Sequence, residues 1–114
     1  MKTMKKIVFL MLFISCTGFS LKADPAKKVN LKYNNGVLNI QAIHPVKNVT
    51  THYIDQFVIK VNGVAVKTVT LDKQSSKEDA VLDLTVPEIK TGSVVEVTTR
   101  CNQFGKKSAK LNVK

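Results

Sequence analysis

The sequence predicts an all-β fold, seven short antiparallel strands in a two-layer sandwich, and three observations carry that expectation. Past residue 27 the apolar residues recur at every second position, the period of a half-buried strand, and not at helical spacing. Glycine-containing turn signals, among them Asn35-Gly36, Asn62-Gly63 and Thr91-Gly92, separate the apolar runs. No stretch shows the three-to-four-residue apolar recurrence of a helix long enough to pack.

In the first strand Val29, Leu31 and Tyr33 alternate with Lys28, Asn30 and Lys32. Asn34-Asn35-Gly36 supplies residues tolerant of positive φ, and Leu38, Ile40 and Ala42 return as the second strand. The third is expected through Tyr53, Asp55, Phe57, Ile59 and Val61 on one face, with Ile54 and Val58 on the other. Asn62-Gly63 joins it to a fourth over residues 64–71, the strongest short hairpin signal in the chain. Residues 72–79 (DKQSSKED) read as an exposed polar loop. A fifth strand over 80–86 ends at Pro87, which lacks the N–H a ladder needs. The sixth, 93–101, sets Val95, Val97, Thr99 and Cys101 on one face, and the seventh runs over 108–113 after Gly105 and two lysines. Seven strands in about 90 residues predict an immunoglobulin-like antiparallel β-sandwich, with the strand order left open. The chain contains no Trp, so the cysteine–tryptophan–cysteine hallmark of true immunoglobulin domains is absent.

Residues 1–23 do not fit this pattern. Lys2, Lys5 and Lys6 precede the apolar run 7–14 (IVFLMLFI), and small residues follow up to Ala23. That order predicts a secretory signal peptide cleaved after Ala23, leaving one domain over 24–114. A membrane span needs roughly 18 apolar residues, and Lys22 closes this segment early. Lipidation at Cys16 is the alternative anchor, although Phe13 and Ile14 are bulky for a lipoprotein signal. The expected location is exported, periplasmic.

The full chain carries a formal net charge of +10. Lys2, Lys5, Lys6 and Lys22 would leave with the signal, while all eight acids lie beyond residue 23. The remaining basic excess is spread out, with no run above two residues. Such a surface attracts small anions or acidic partners, but it carries no nucleic-acid motif and few aromatics for base stacking. Of two cysteines only Cys101 would remain in the mature domain. An exported, unpaired thiol is buried and inert, intermolecular, or bound to a metal.

Three residues could carry chemistry: His44, His52 and Cys101. Both histidines fall in the irregular stretch 44–52, and Cys101 ends the sixth strand. Loops of a sandwich cluster at its two ends, so convergence is possible in principle. Each also has a plain role: either histidine as a loop residue, Cys101 as a core thiol. Phe104 reads as a packing residue. Asn48-Val49-Thr50 matches the short glycosylation acceptor pattern. No nucleophile-elbow or phosphate-loop motif is present.

His44-Pro45 followed by His52-Tyr53-Ile54, then Val61-Asn62-Gly63 and Cys101-Asn102-Gln103-Phe104-Gly105, resembles the iron domain of desulfoferrodoxin and neelaredoxin superoxide reductases, in order and over roughly residues 29–105. In that family four histidines and one cysteine hold a mononuclear iron that reduces superoxide by one electron at an open sixth position. The resemblance implies His44, His52 and Cys101 as the matching metal ligands. It also shows departures. Phe104 stands where the family has its last ligand histidine, residues 24–33 contain no histidine, and His44 and His52 are two residues further apart than in the family. At most three of five ligands persist.

Two functions of different class follow. One is a metal site with iron as the ion the resemblance implies, copper or zinc as further candidates, and a small anionic oxidant or an electron-donor protein as partner. The other is a non-enzymatic binding module that kept the sandwich and holds no metal. The sequence sets no oligomeric state.

Overall fold

The hairpin turns anticipated at Asn35-Gly36 and Asn62-Gly63 both form. In each, the Asn and the Gly take positive φ (53° and 81°, 51° and 85°). Positive φ at both central residues gives the turn whose twist matches paired strands. The structure, a computed structural model, describes residues 24–114; the expected signal segment and Cys16 lie outside the described residues.

Seven strands run β1 (Lys28–Asn34), β2 (Val37–Ile43), β3 (Ile54–Val61), β4 (Val64–Thr70), β5 (Asp79–Thr85), β6 (Val94–Cys101) and β7 (Lys106–Asn112). They form a three-stranded sheet, β1-β2-β5, and a four-stranded sheet, β4-β3-β6-β7. Every paired neighbour is antiparallel. The described residues contain no helix, and hence none long and apolar enough to cross a membrane. The seven-stranded antiparallel sandwich read from the sequence is therefore the fold. The seventh strand begins two residues earlier than expected, taking in Lys106 and Lys107, which pair with Arg100 and Thr99.

The core lies between the sheets. Leu38, Ile40 and Ala42 from β2 are fully buried, as are Ile54, Phe57 and Ile59 from β3 and Val95 and Val97 from β6. Each of the larger side chains contributes about 1.5–3 kcal/mol relative to exposure. Thr99 shares this face, and its buried hydroxyl donates to the Lys107 carbonyl at 3.0 Å. Cys101 continues the inward row at 3 % exposure, as expected.

The third strand departs from simple alternation. Its register against β6 slips between Ile54 and Gln56, so Asp55 is an extra, bulged residue. The bulge reverses the parity of the strand end and turns Ile54 into the core beside Phe57, correcting the expected outward Ile54. Asp55 instead meets Arg100 through two hydrogen bonds, Nε to Oδ1 at 3.0 Å and Nη2 to Oδ2 at 3.1 Å.

Four segments gather at one end of the sandwich. The Asp24 N–H donates to Phe104 O (2.8 Å), His44 N–H to Glu78 O (2.9 Å), Gln74 N–H to Val49 O (3.0 Å) and Asn102 N–H to Tyr53 O (2.9 Å). The chain before β1 is thereby tied to the β2–β3, β4–β5 and β6–β7 connections.

Candidate metal centre

His44 follows directly on β2, and its backbone continues the sheet. After the His44 bond to Glu78, Val46 N–H donates to Lys77 O at 2.7 Å. Pro45 restricts His44 to extended backbone, which keeps the imidazole at the end of the strand. His52 closes a turn built on Asn48, whose side-chain Oδ1 accepts the Thr50 N–H (2.9 Å) and hydroxyl (2.7 Å). The Asn48 carbonyl then accepts the His52 N–H at 3.1 Å. Cys101 opens a tight turn in which its N–H donates to Gly105 O (2.9 Å).

Asn102 draws the two loops together. Its Oδ1 accepts the Tyr53 N–H (2.9 Å) and its Nδ2 donates to Thr51 O (3.1 Å), so it grips the chain on both sides of His52. The result is a cluster: one donor atom from each of His44, His52 and Cys101, all within 4.8 Å of one another. The imidazoles pack edge to face, with centroids 4.8 Å apart and planes at 89°. His44 is 1 % exposed, Cys101 is buried and unpaired, and the His52 side chain keeps 18 % of its surface. All three candidate residues named from the sequence are brought together.

Two residues missed by sequence reasoning complete the surroundings. Gln74, placed by its sequence in an exposed loop, is buried, and its Oε1 lies 2.8 Å from His44 Nδ1. Its neighbours are charged or hydroxylated and carry no periodic signal, so nothing in DKQSSKED marks it. Asp24 lies over both imidazoles. Its carbonyl oxygen is 2.9 Å from His44 Nε2 and its carboxylate Oδ2 is 2.8 Å from His52 Nε2. The carboxylate contact is not a hydrogen bond, so His52 Nε2, shielded from solvent, has no hydrogen-bond partner among the described residues.

Phe104 is the other correction. It was expected to pack, yet it is 50 % exposed on the turn after Cys101, because its carbonyl, and not its ring, holds the Asp24 segment. It borders a cleft of about 530 Å³ that reaches Cys101 and is also lined by Asp55, Arg100 and Lys106. The Asp55 carboxylate, by hydrogen bond and then by charge, raises the Arg100 guanidinium pKa above its ordinary value. A second cleft, about 540 Å³, reaches His52 and is lined by Asp24, Lys47 and Gln103.

Fold and site together define an antiparallel β-sandwich with a His–His–Cys cluster at one end. No protein-family model matches the chain, and no curated protein matches it. Among solved structures, the superoxide reductase (1Fe-SOR) from Giardia intestinalis has a similar fold, with a TM-score of 0.60 at 12 % identity over 82 % of this chain and 100 % of that one. A variant of the superoxide reductase (neelaredoxin) from Ignicoccus hospitalis superposes with a TM-score of 0.50 at 17 % identity, over 82 % of this chain and 75 % of that one. At such identities the likeness is one of fold, and it agrees with the family-level resemblance of the motifs.

Proposed function

We propose that this protein holds one transition-metal ion between His44, His52 and Cys101 on a superoxide-reductase-like sandwich, and that the ion serves one-electron chemistry toward a small anionic oxidant. The observation that carries this is the cluster itself: two imidazoles and a buried thiol with donor atoms within 4.8 Å of one another, and a His52 Nε2 that, among the described residues, meets only the Asp24 carboxylate and makes no hydrogen bond. An unpartnered buried nitrogen costs free energy unless something else satisfies it.

The donor set fits. Imidazole and thiolate donors sharing an ion at bond lengths of about 2.0–2.3 Å lie about 3–4.4 Å apart, the upper end only when two are opposite, so a cluster within 4.8 Å closes on an ion by a movement of about 1 Å. Imidazole with thiolate suits iron, copper or zinc. Iron is favoured by the motif resemblance and by the fold likeness to superoxide reductases. When bound, a redox-active ion supplies a one-electron couple.

The chain's own residues have separable tasks. Cys101 offers a thiolate from within the core, and the imidazoles offer neutral nitrogen donors. The Asp24 carboxylate sets a negative charge beside His52 and so attracts a cation. Lys47, lining the cleft at His52, favours approach of an anion from solvent. Export through the expected leader belongs to the same proposal, since an unpaired thiol in an oxidising compartment is protected by burial and by a metal.

One observation favours a second role. Asp24 already places an oxygen on each imidazole, so the segment before β1 can act as a latch that closes a binding module without any metal. Anaerobic titration with ferrous iron, copper and zinc separates the two, with Cys101→Ser as control. Stoichiometric binding that is lost in the variant supports the metal centre. A folded protein that binds none of the three ions leaves the latch.

A further inference from the structure

The amide of Gln74 cannot be reversed. Its Nε2 donates to His44 O at 2.7 Å and to Ser76 O at 3.0 Å, while its Oε1 accepts the Ile54 N–H at 3.1 Å. Exchanging the two ends would set an NH₂ against a backbone N–H and an oxygen against two carbonyls. The residue is 3 % exposed, so no water relieves such a clash. The atom that faces His44 Nδ1 at 2.8 Å is therefore an acceptor.

Both nitrogens of His44 thus face acceptors: Gln74 Oε1 at Nδ1 and the Asp24 carbonyl at Nε2, 2.9 Å away. A neutral imidazole has one N–H to give. Gln74 is buried and fixed by the backbone of three other residues, whereas Asp24 precedes the first strand and its side chain is 52 % exposed. An Nε2–H ring would leave a lone pair against the fully buried Oε1, out of reach of water; an Nδ1–H ring leaves one against the partly buried Asp24 carbonyl, nearer to solvent. The first is the costlier arrangement.

We propose that Gln74 is the positioning residue of the centre: it holds His44 in the Nδ1–H tautomer and so keeps the Nε2 lone pair open to a cation. Without it, the Asp24 carbonyl becomes the better acceptor, and the proton moves to Nε2, where it blocks a metal. The tautomer follows from the hydrogen bonds alone; its consequence for binding rests on the metal-centre function proposed above. Histidine ligands of metals ordinarily donate their other N–H to an outer partner in this way, and losing that partner costs about 10–100-fold in affinity.

The test joins two readouts on wild type, Gln74→Leu and Gln74→Glu. Imidazole ¹⁵N shifts of the metal-free protein, at a pH where the rings are neutral, are expected to show Nδ1–H for His44 in wild type and Nε2–H in Gln74→Leu. Zinc and ferrous iron are expected to bind Gln74→Leu about 10–100-fold more weakly. Gln74→Glu keeps an acceptor for Nδ1–H but sets its second oxygen against two carbonyls, so it is expected to lose thermal stability while retaining the tautomer and most of the affinity. An Nε2–H ring in wild type overturns the assignment, and so does Gln74→Glu losing as much affinity as Gln74→Leu. A wild type that shows the Nδ1–H ring yet binds neither ion overturns the metal centre and leaves the tautomer standing.

Discussion

Pro25 lies so close over Gly105 that a Cβ built there falls 2.8 Å from Pro25 Cδ and 2.9 Å from its nitrogen. Gly105 also holds φ at 111°, a region that L side chains avoid. The contact seats the segment that carries Asp24 across both histidines, so a position remote from the ligand set in chemistry is bound to it in space.

Gly105→Ala is therefore expected to lift this segment. Gly92→Ala is the matched control: its φ is +90°, but a Cβ there meets nothing within 4 Å. Both variants pay backbone strain of about 1–3 kcal/mol. Only Gly105→Ala is expected to strip hydrogen-exchange protection from the Lys27 amide, which anchors the same segment by donating to Ile43 O. Equal protection in the two variants would mean that Pro25 gives way without moving the segment.

The two histidines are expected to separate stability from binding. His44 is fully buried, and its loss leaves a cavity and removes a partner from Gln74. His44→Ala is expected to cost about 1–3 kcal/mol in urea denaturation of the metal-free protein. His52 is partly exposed and its Nε2 has no hydrogen bond to lose, so His52→Ala is expected to stay within about 1 kcal/mol of wild type. Both are expected to abolish stoichiometric metal binding. Normal binding by His52→Ala would remove it from the ligand set.

Alternation and the Asn-Gly pairs made the strands legible because β-pairing writes its period into every second residue. The bulge at Asp55 was not legible, since one inserted residue changes parity without changing composition, and Ile54 was assigned to the wrong face as a result. The ligand candidates stood out by type: two histidines and one cysteine are all that residues 24–114 contain of these types. Their convergence was not legible, as it depends on contacts made across the fold, such as those of Asn102 to Thr51 and Tyr53. Gln74 and Asp24 escaped for the same reason. An amide in a polar loop and an acid before the first strand acquire their roles only from what lies opposite them.

Asn102→Ala tests the link between the Cys101 turn and the His52 loop. The substitution removes the bonds from Tyr53 N–H and to Thr51 O, each worth about 1 kcal/mol. Because Asn102 is exposed, the expected loss is about 1–2 kcal/mol, with water replacing part of the network. Metal affinity is expected to fall further than stability does, since the ion must then order the His52 loop itself. Asn102→Asp keeps the acceptor for Tyr53 N–H and is expected to restore part of the affinity. An unchanged affinity in Asn102→Ala would show that the Asn48 turn alone sets His52.

Asp24→Asn asks whether the carboxylate over His52 attracts a cation or only closes the site. Its Oδ2 is 2.8 Å from His52 Nε2, and the side chain is 52 % exposed. Charges a few ångströms apart near a protein surface interact by about 1–4 kcal/mol, and solvent holds an exposed pair toward the lower end. Removing the charge while keeping the shape is therefore expected to weaken zinc or ferrous iron by about 5–10-fold at low salt. Raising the ionic strength to 1 M, where the screening length is about 3 Å, is expected to narrow the difference between variant and wild type. If the variant instead binds more tightly at every salt concentration, Asp24 competes with the ion for the histidines, and the segment before β1 is a latch that a metal must displace.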